Sequence, residues 1–490
     1  MWVQNSSNGP VRTEKYGNWE EFVMATSTSP AKVAGKVPVK EIVGHALGGL
    51  GQNIVYALWS GFITAFYTDV YGLNPIFMSA LFLVARVWDG FNDPMMGIIA
   101  DRSKSRFGRF RCWLLRMPVL VGICLILNFS VPDFAETGKL VYAAITYILM
   151  GMAFTSVDIP FWSLPTAMTE DLQERTKIFT STTMVTNVAS SLASTLIPVL
   201  ILNFGGPKGD GAPHAYFVTA IIIAIIGMVL YLACFGLVRE HVKPPVQKFS
   251  FKLAFKAIYT NKPLFCVMFA NLVINIAFIT KMTFNYFYFS YSMGNYSLMS
   301  VMGLLTVPCM VVGSLSVPFL VKKFGKKKSI IGLTTAELIV SVIFFFVGYG
   351  SVPAVMTFSV IQVILCGATT VIINAMTADT TEYGEWKTGQ RNEGIITSTR
   401  TLITKIASAL VGAITGVVLI AAQYNYAPDA VQTVFTMNAF HAVVSLLPGI
   451  VMFIGIIPMF FYPLTEERHA QIVEEIKARR AAKERDDAQN

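Results

Sequence analysis

Apolar runs long enough to cross a bilayer recur along nearly the whole chain, from residue 44 to residue 462. A helix needs about 20 predominantly apolar residues to span the hydrocarbon core. Windows of that size give twelve candidate spans, at 44–68, 76–100, 113–132, 140–167, 178–203, 215–238, 264–292, 298–321, 329–349, 353–381, 395–422 and 434–462. Soluble core helices would be shorter and striped on one face. Strands of a membrane barrel would alternate with period two, and these segments do not. Only 14% of the residues are charged, against about 25% in ordinary soluble chains, and the mean hydropathy is +0.57. The predicted fold class is an all-α membrane protein with twelve transmembrane helices.

The net charge of +9 would suggest nucleic acid if it were spread over one face. It is instead confined to every second loop. "RSKSRFGRFR" after span 2 holds five basic residues, the connection between spans 6 and 7 holds six, and "KKFGKKK" after span 8 holds five. The alternate loops hold almost none. Lysine and arginine stay on the cytoplasmic side in short loops, so the pattern predicts both termini inside, contact with anionic membrane lipid and no nucleic-acid partner. Cytoplasmic termini require an even number of spans, which twelve satisfies.

The remaining composition narrows the function. Six cysteines lie in or beside the spans without metal-ligand spacing, and read as small apolar residues. The phosphate-cradling pattern GxxxxGKS/T is absent, and neither an enzyme nor a cofactor is expected. The first 43 residues are polar with no short apolar leader. They read as a disordered cytoplasmic extension, with translation starting at Met1 or Met24. The long basic connection 239–263 splits the chain into six-helix halves, 44–238 and 264–462, followed by a charged cytoplasmic tail, 463–490, helical or simply solvated. Both halves carry a basic glycine-containing loop after their second span, "KSRFGRFR" and "VKKFGKKK". Repeated six-span halves with a site near the midplane are a transporter architecture, and the layout resembles the major facilitator superfamily.

The chemistry concentrates in "RVWDGFNDPMMG", residues 86–97. Arg86, Asp89 and Asp93 are spaced to share one helical face. An acid at mid-membrane costs about 2.5–3.5 kcal/mol on insertion scales, so these side chains should face the bundle interior and find partners there. Pro94 leaves the carbonyl of Gly90 without its helical donor. Two carboxylates and a free carbonyl suit Na⁺, or a proton shared between crowded acids; a structural ion pair with Arg86 accounts for only one of the two. In span 4, "FTSVDIPFWSLP" puts Asp158 and Trp162 on one face. An acid accepting hydroxyl hydrogen bonds beside a flat aromatic ring suits a sugar. Lys281 in span 7 and Arg400 and Lys405 in span 11 supply buried positive charge, with Lys405 a natural partner of Asp89 or Asp93 and a competitor for the cation. Glu382, Glu385 and Arg391 in "TEYGEWKTGQRNEG" read as an inner-gate salt-bridge cluster.

"ARVWDGFNDPMMGIIADRSKSRFGRFRCWLL", "DIPFWSLP" and "EYGEWKTGQRNEG" together resemble the glycoside–pentoside–hexuronide:cation symporters, the family that contains melibiose permease, over about residues 41–480. The resemblance implies a plasma-membrane symporter that couples Na⁺ or H⁺ entry to uptake of a glycoside, with no oligomer required. By matching positions, it implies that Asp89 and Asp93 bind the coupling cation, with Thr155 and Lys405 in support. It implies that Asp158 and Trp162 contact sugar, with Thr401 nearby in the cavity. Two departures stand out: Asn53 occupies the place of a sugar-binding acid on the first helix, and about Thr183 the place of a sugar-binding arginine on the fifth. Both argue against melibiose itself, while Lys281 with Lys405 points weakly to an anionic glycoside. The alternatives are a sodium-coupled lysolipid symporter of the same fold, an intramembrane aspartyl protease and a sensor. The protease needs acids on two helices, whereas the obvious pair here lies on one.

Overall fold

The computed structural model describes residues 36–242, 261–388, 393–426 and 430–489. The described residues are helical almost throughout. Helices α1 (Val39–Ala65), α2 (Pro75–Arg102), α3 (Arg111–Asn128), α4 (Glu136–Met168), α5 (Leu172–Asn203) and α6 (Ala212–Leu237) form the N-terminal half. Helices α7 (Lys262–Phe287), α8 (Ser297–Val347), α9 (Val352–Thr388) and α10 (Glu393–Ala421), with the broken run α11 (Val434–Ser445), α12 (Leu447–Gly455) and α13 (Ile457–Phe460), form the C-terminal half. Among the described residues, nine helical segments are long and apolar enough to cross a membrane. Helix α2 is outside that set and carries Arg86, Asp89 and Asp93. Helix α8 is counted once although its backbone breaks at Gly325, where φ is +77°.

Local chemistry fixes the helix starts. Asn74 accepts a hydrogen bond from the Ile76 amide at 2.8 Å and is followed by Pro75. Asn261 does the same for Leu264 at 3.0 Å, ahead of Pro263. Such caps contribute about 1 kcal/mol each, and proline in the first turn gives up no helical hydrogen bond.

The two halves repeat each other in detail. Helix α1 ends in a widened π turn, Phe66–Val70, followed by Gly72 at φ +70°. Helix α7 ends in another, Tyr288–Ser292, followed by Gly294 at φ +61°. The basic loops match as well. Gly108 (φ +106°) lies against the carboxylate of Glu240, which accepts the amides of Arg109, Phe110 and Arg111 at 2.8 Å each. Gly325 lies against the carboxylate of Glu466, which accepts the Lys326 amide. In both places a glycine turn aims backbone N–H at one acid, three groups at Glu240 and one at Glu466, and a side chain on that glycine would strike it.

The C-terminal tail is a helix, α14 (Glu466–Gln489), docked on the C-terminal half. Trp386 donates to Glu475 at 2.5 Å, and Arg479 donates to the Trp386 carbonyl at 2.8 Å. Charge on this tail is used in packing, which composition did not distinguish from plain solvation. The 1–35 segment, Met24 included, and residues 243–260 of the middle connection lie outside the described residues.

The halves meet at the ends of α1 and α7. Asp69 accepts hydrogen bonds from Tyr286 and Tyr291, both at 2.8 Å, and from Tyr424. Lys208, between α5 and α6, lies 3.0 Å above the Tyr291 ring.

Candidate coupling and substrate site

Helix α2 sorts its side chains by face. Phe91 and Met95 are 65% and 53% exposed on the outside of the bundle, with Val84, Val87, Trp88 and Ile98. Asp89 and Asp93 are 19% and 15% exposed and point inward. A stripe of apolar side chains on one face and charges on the opposite one is what a lipid-facing helix of a polar-cored bundle requires.

Each acid has partners. The Arg86 guanidinium donates to Asp89 Oδ2 at 3.1 Å and sits 6.0 Å from the Trp59 ring centroid. Asp93 Oδ1 accepts from the Thr155 hydroxyl at 3.2 Å, and Asp93 Oδ2 is paired with the Lys405 ammonium. Asp93 thus ties α2 and α4 of one half to α10 of the other. Asp89 and Asp93 stand one turn apart on α2, and the Asp93 carboxylate lies beside the Thr155 hydroxyl. Among the described residues, no group of three or more His, Cys, Asp or Glu gathers into a metal cluster.

The aromatic and acidic pair of α4 lies deeper along the same helix. Asp158 accepts from the Gln52 side chain. Trp162 stacks on Phe179 with centroids 6.2 Å apart and planes 9° from parallel. It is Gln52, not its neighbour Asn53 singled out by the sequence, that the fold places on Asp158. Asn53 instead accepts from Ser190 on α5 at 2.6 Å. One residue is about 100° of helix rotation, which sequence alone does not resolve when both neighbours are amides.

Lys281 is buried within the C-terminal half, its ammonium 2.5 Å from Gln362 Oε1 and beside the buried Glu337. Gln362 continues to Ser341 at 2.8 Å and to the Ser445 carbonyl at 3.0 Å. Glu382 pairs with His469 of α14, next to a Lys326–Asp379 ion pair at 2.6 Å, all inside the C-terminal half. Glu385 is on the same helix, α9. Arg391 and the Thr401 side chain lie outside the described residues. Thr183 donates to the Phe179 carbonyl at 2.8 Å.

Comparison with known proteins agrees with this architecture. The model of the family described as MFS/sugar transport protein matches residues 44–466. A putative 2,3-dihydroxypropane-1-sulfonate exporter of Salmonella typhimurium is 32% identical, over 93% of this chain and 99% of its own. An isoprimeverose transporter of Lactiplantibacillus pentosus is 30% identical over 91% and 95%, and a glucuronide carrier protein homolog of Escherichia coli 31% over 90% and 96%. Among solved structures, an inward-facing, unoccupied bacterial homolog of the human lysosomal transporter Spinster superposes with a TM-score of 0.62. It has 12% identity and covers 88% of this chain and 100% of its own, a likeness of fold alone. The chain is a multi-pass membrane transporter, not an enzyme, and belongs to the MFS/sugar transport protein family.

Proposed function

We propose that this protein is a symporter with twelve spans and cytoplasmic termini. It couples Na⁺ or H⁺ movement through Asp89 and Asp93 to transport of a glycoside by alternating access. The observation that carries this reading is the double engagement of Asp93, by Thr155 from its own half and by Lys405 from the other. Lys405 then stands in for the coupling ion. When the cation enters, it takes the carboxylate oxygens of Asp89 and Asp93, and the Lys405 ammonium lets go. That release loosens one tie between the halves, so loading biases which face opens. Cation and sugar affinities are reciprocally linked as a consequence.

Gln52, Asp158 and Trp162 are the sugar contacts in this reading, the acid and amide binding hydroxyls and the indole covering a ring face. The relatives named for a glucuronide, a sulfonate and isoprimeverose support a sugar or sugar-acid substrate over a lysolipid. The test is a glycoside panel screened for binding to purified protein in Na⁺, Li⁺ and Na⁺-free buffer at two pH values. Affinity should rise with the coupling cation, and Asp93→Asn should remove that dependence. Equal affinity in every buffer for wild type would overturn coupling through this site.

A further inference from the structure

A cavity of about 170 Å³ opens inside the C-terminal half, lined by Asn271, Asn275, Thr370, Asn374, Arg400 and Thr404 among others. No acidic side chain lines it among the described residues. Two of its donors are unspent. The Arg400 guanidinium makes no hydrogen bond or ion pair with any described residue, whereas Arg86, Lys281 and Lys405 each have a partner. Asn271 is 7% exposed, and its Nδ2 is buried without an acceptor. Its Oδ1 is already taken by Asn275 at 2.8 Å, so the unpaired group of this cavity-lining side chain is its Nδ2 donor. Arg400 is exposed and lines this cavity, so its guanidinium is available to an anion, while the buried Asn271 amide is costly unless something accepts from it.

Helix register puts this cavity level with the proposed sugar contacts. Helices α2 and α4 run parallel: Asp89 lies against Gly151, Asp93 against Thr155 and Gly97 against Ile159. Helix α10 runs antiparallel to α2: Gly416 meets Pro75 and Ser79, Gly412 meets Phe82, and Lys405 meets Asp93. Beyond the Asp93 level, Arg400 is about 7.5 Å further along, and Asp158 and Trp162 are about 4.5 and 10.5 Å further in the same direction. The cation of one half and the acid–indole pair of the other therefore sit at one depth.

The charges also balance. Arg86 with Asp89, Lys405 with Asp93, and Arg400 with Asp158 sum to zero, so a bound coupling cation adds one uncompensated positive charge. A neutral sugar leaves it there; a singly negative sugar cancels it.

We infer that Arg400 and Asn271 form an anion subsite for the carboxylate or sulfonate of an acidic glycoside, whose ring is held from the opposite half by Asp158 and Trp162. This rests on the proposed function, and deepens it by naming the substrate class.

Binding of p-nitrophenyl β-D-glucuronide, the matching C6-sulfonate glycoside and p-nitrophenyl β-D-glucoside to the full-length protein tests it, since the three differ only at C6. The wild type should prefer at least one anion over the neutral glucoside by about tenfold or more, the scale of a charge-assisted hydrogen bond. Arg400→Gln should erase that preference while leaving the glucoside within about twofold, which also reports that the variant is folded, and Arg400→Lys should keep part of it. A wild type that favours the glucoside or binds none of the three, or an Arg400→Gln variant that weakens all equally, would overturn the inference. If the anion preference follows Arg400 but no ligand responds to Na⁺ or pH, the coupling reading fails and the subsite stands.

Discussion

The carboxylate of Asp93 receives a hydroxyl from one half of the molecule and an ammonium from the other. Removing the ammonium leaves a half-satisfied acid that should depend more on an added cation. Lys405→Val is therefore expected to enlarge the rise in melting temperature on adding the coupling cation, relative to wild type, in a thermal-shift titration; an unchanged rise would show that Lys405 does not compete for the site. Gln52 makes a second residue-level prediction. Gln52→Leu strips Asp158 of its amide donor and should weaken glycoside affinity by about tenfold, the cost of one lost hydrogen bond to a charged group. Asn53→Leu, whose partner is Ser190, should do much less; the two are compared by equilibrium binding. At this scale the sequence was readable where chemistry conflicts with hydrocarbon. Three charges in an apolar run exposed the α2 cluster, because few uses justify their insertion cost. The pairing of Lys405 with an α2 acid was readable too, but not that of Lys281, whose contact with Gln362 beside Glu337 depends on three helices meeting within one half.

Among the elements, the ends of α1 and α7 form the most specific joint. Asp69 of the first π turn meets Tyr291 of the second and Tyr286 just before it in α7, and Tyr424 adds a third hydroxyl. Asp69→Asn keeps the size but removes the charge that three phenols converge on. It should raise amide hydrogen exchange at both turns, residues 66–73 and 288–295, in mass-spectrometric exchange; unchanged protection there would show the aromatic packing alone holds the joint. Lys208 covers the same cluster, and burial pushes its ammonium down to about 8, against the pull of Asp69. Its folded value lies below its unfolded one, so desolvation costs stability below about pH 8, and the cost disappears as pH rises from there toward about 10.5. The basic-loop repeat was visible in sequence as two lysine- and arginine-rich stretches, but not its use. Gly108 and Gly325 each aim backbone N–H at an acid more than a hundred residues away, Glu240 and Glu466. Only the fold reveals such pairing across the chain.

For the whole molecule, hydropathy made the helical membrane architecture legible early, since every backbone group in lipid must be satisfied within a helix. A basic glycine-containing loop repeated in the two parts of the chain was visible as well, at residues 104–111 and 321–328. Of the ties between the halves, Lys405 with an α2 acid was legible and is found at Asp93, whereas Ser191 donating to the Gly303 carbonyl at 2.7 Å and the Asp69 joint were not. These few ties are what a rocking transporter has to break and remake. In the proposed mechanism the α2 acids convert a cation gradient into a sugar gradient. Glycoside uptake into proteoliposomes under an imposed Na⁺ or proton gradient tests it most directly, with wild type beside Asp93→Cys. Wild type should concentrate the glycoside and the variant should not concentrate it at all; a variant that still accumulates glycoside against its gradient would rule out coupling through Asp93.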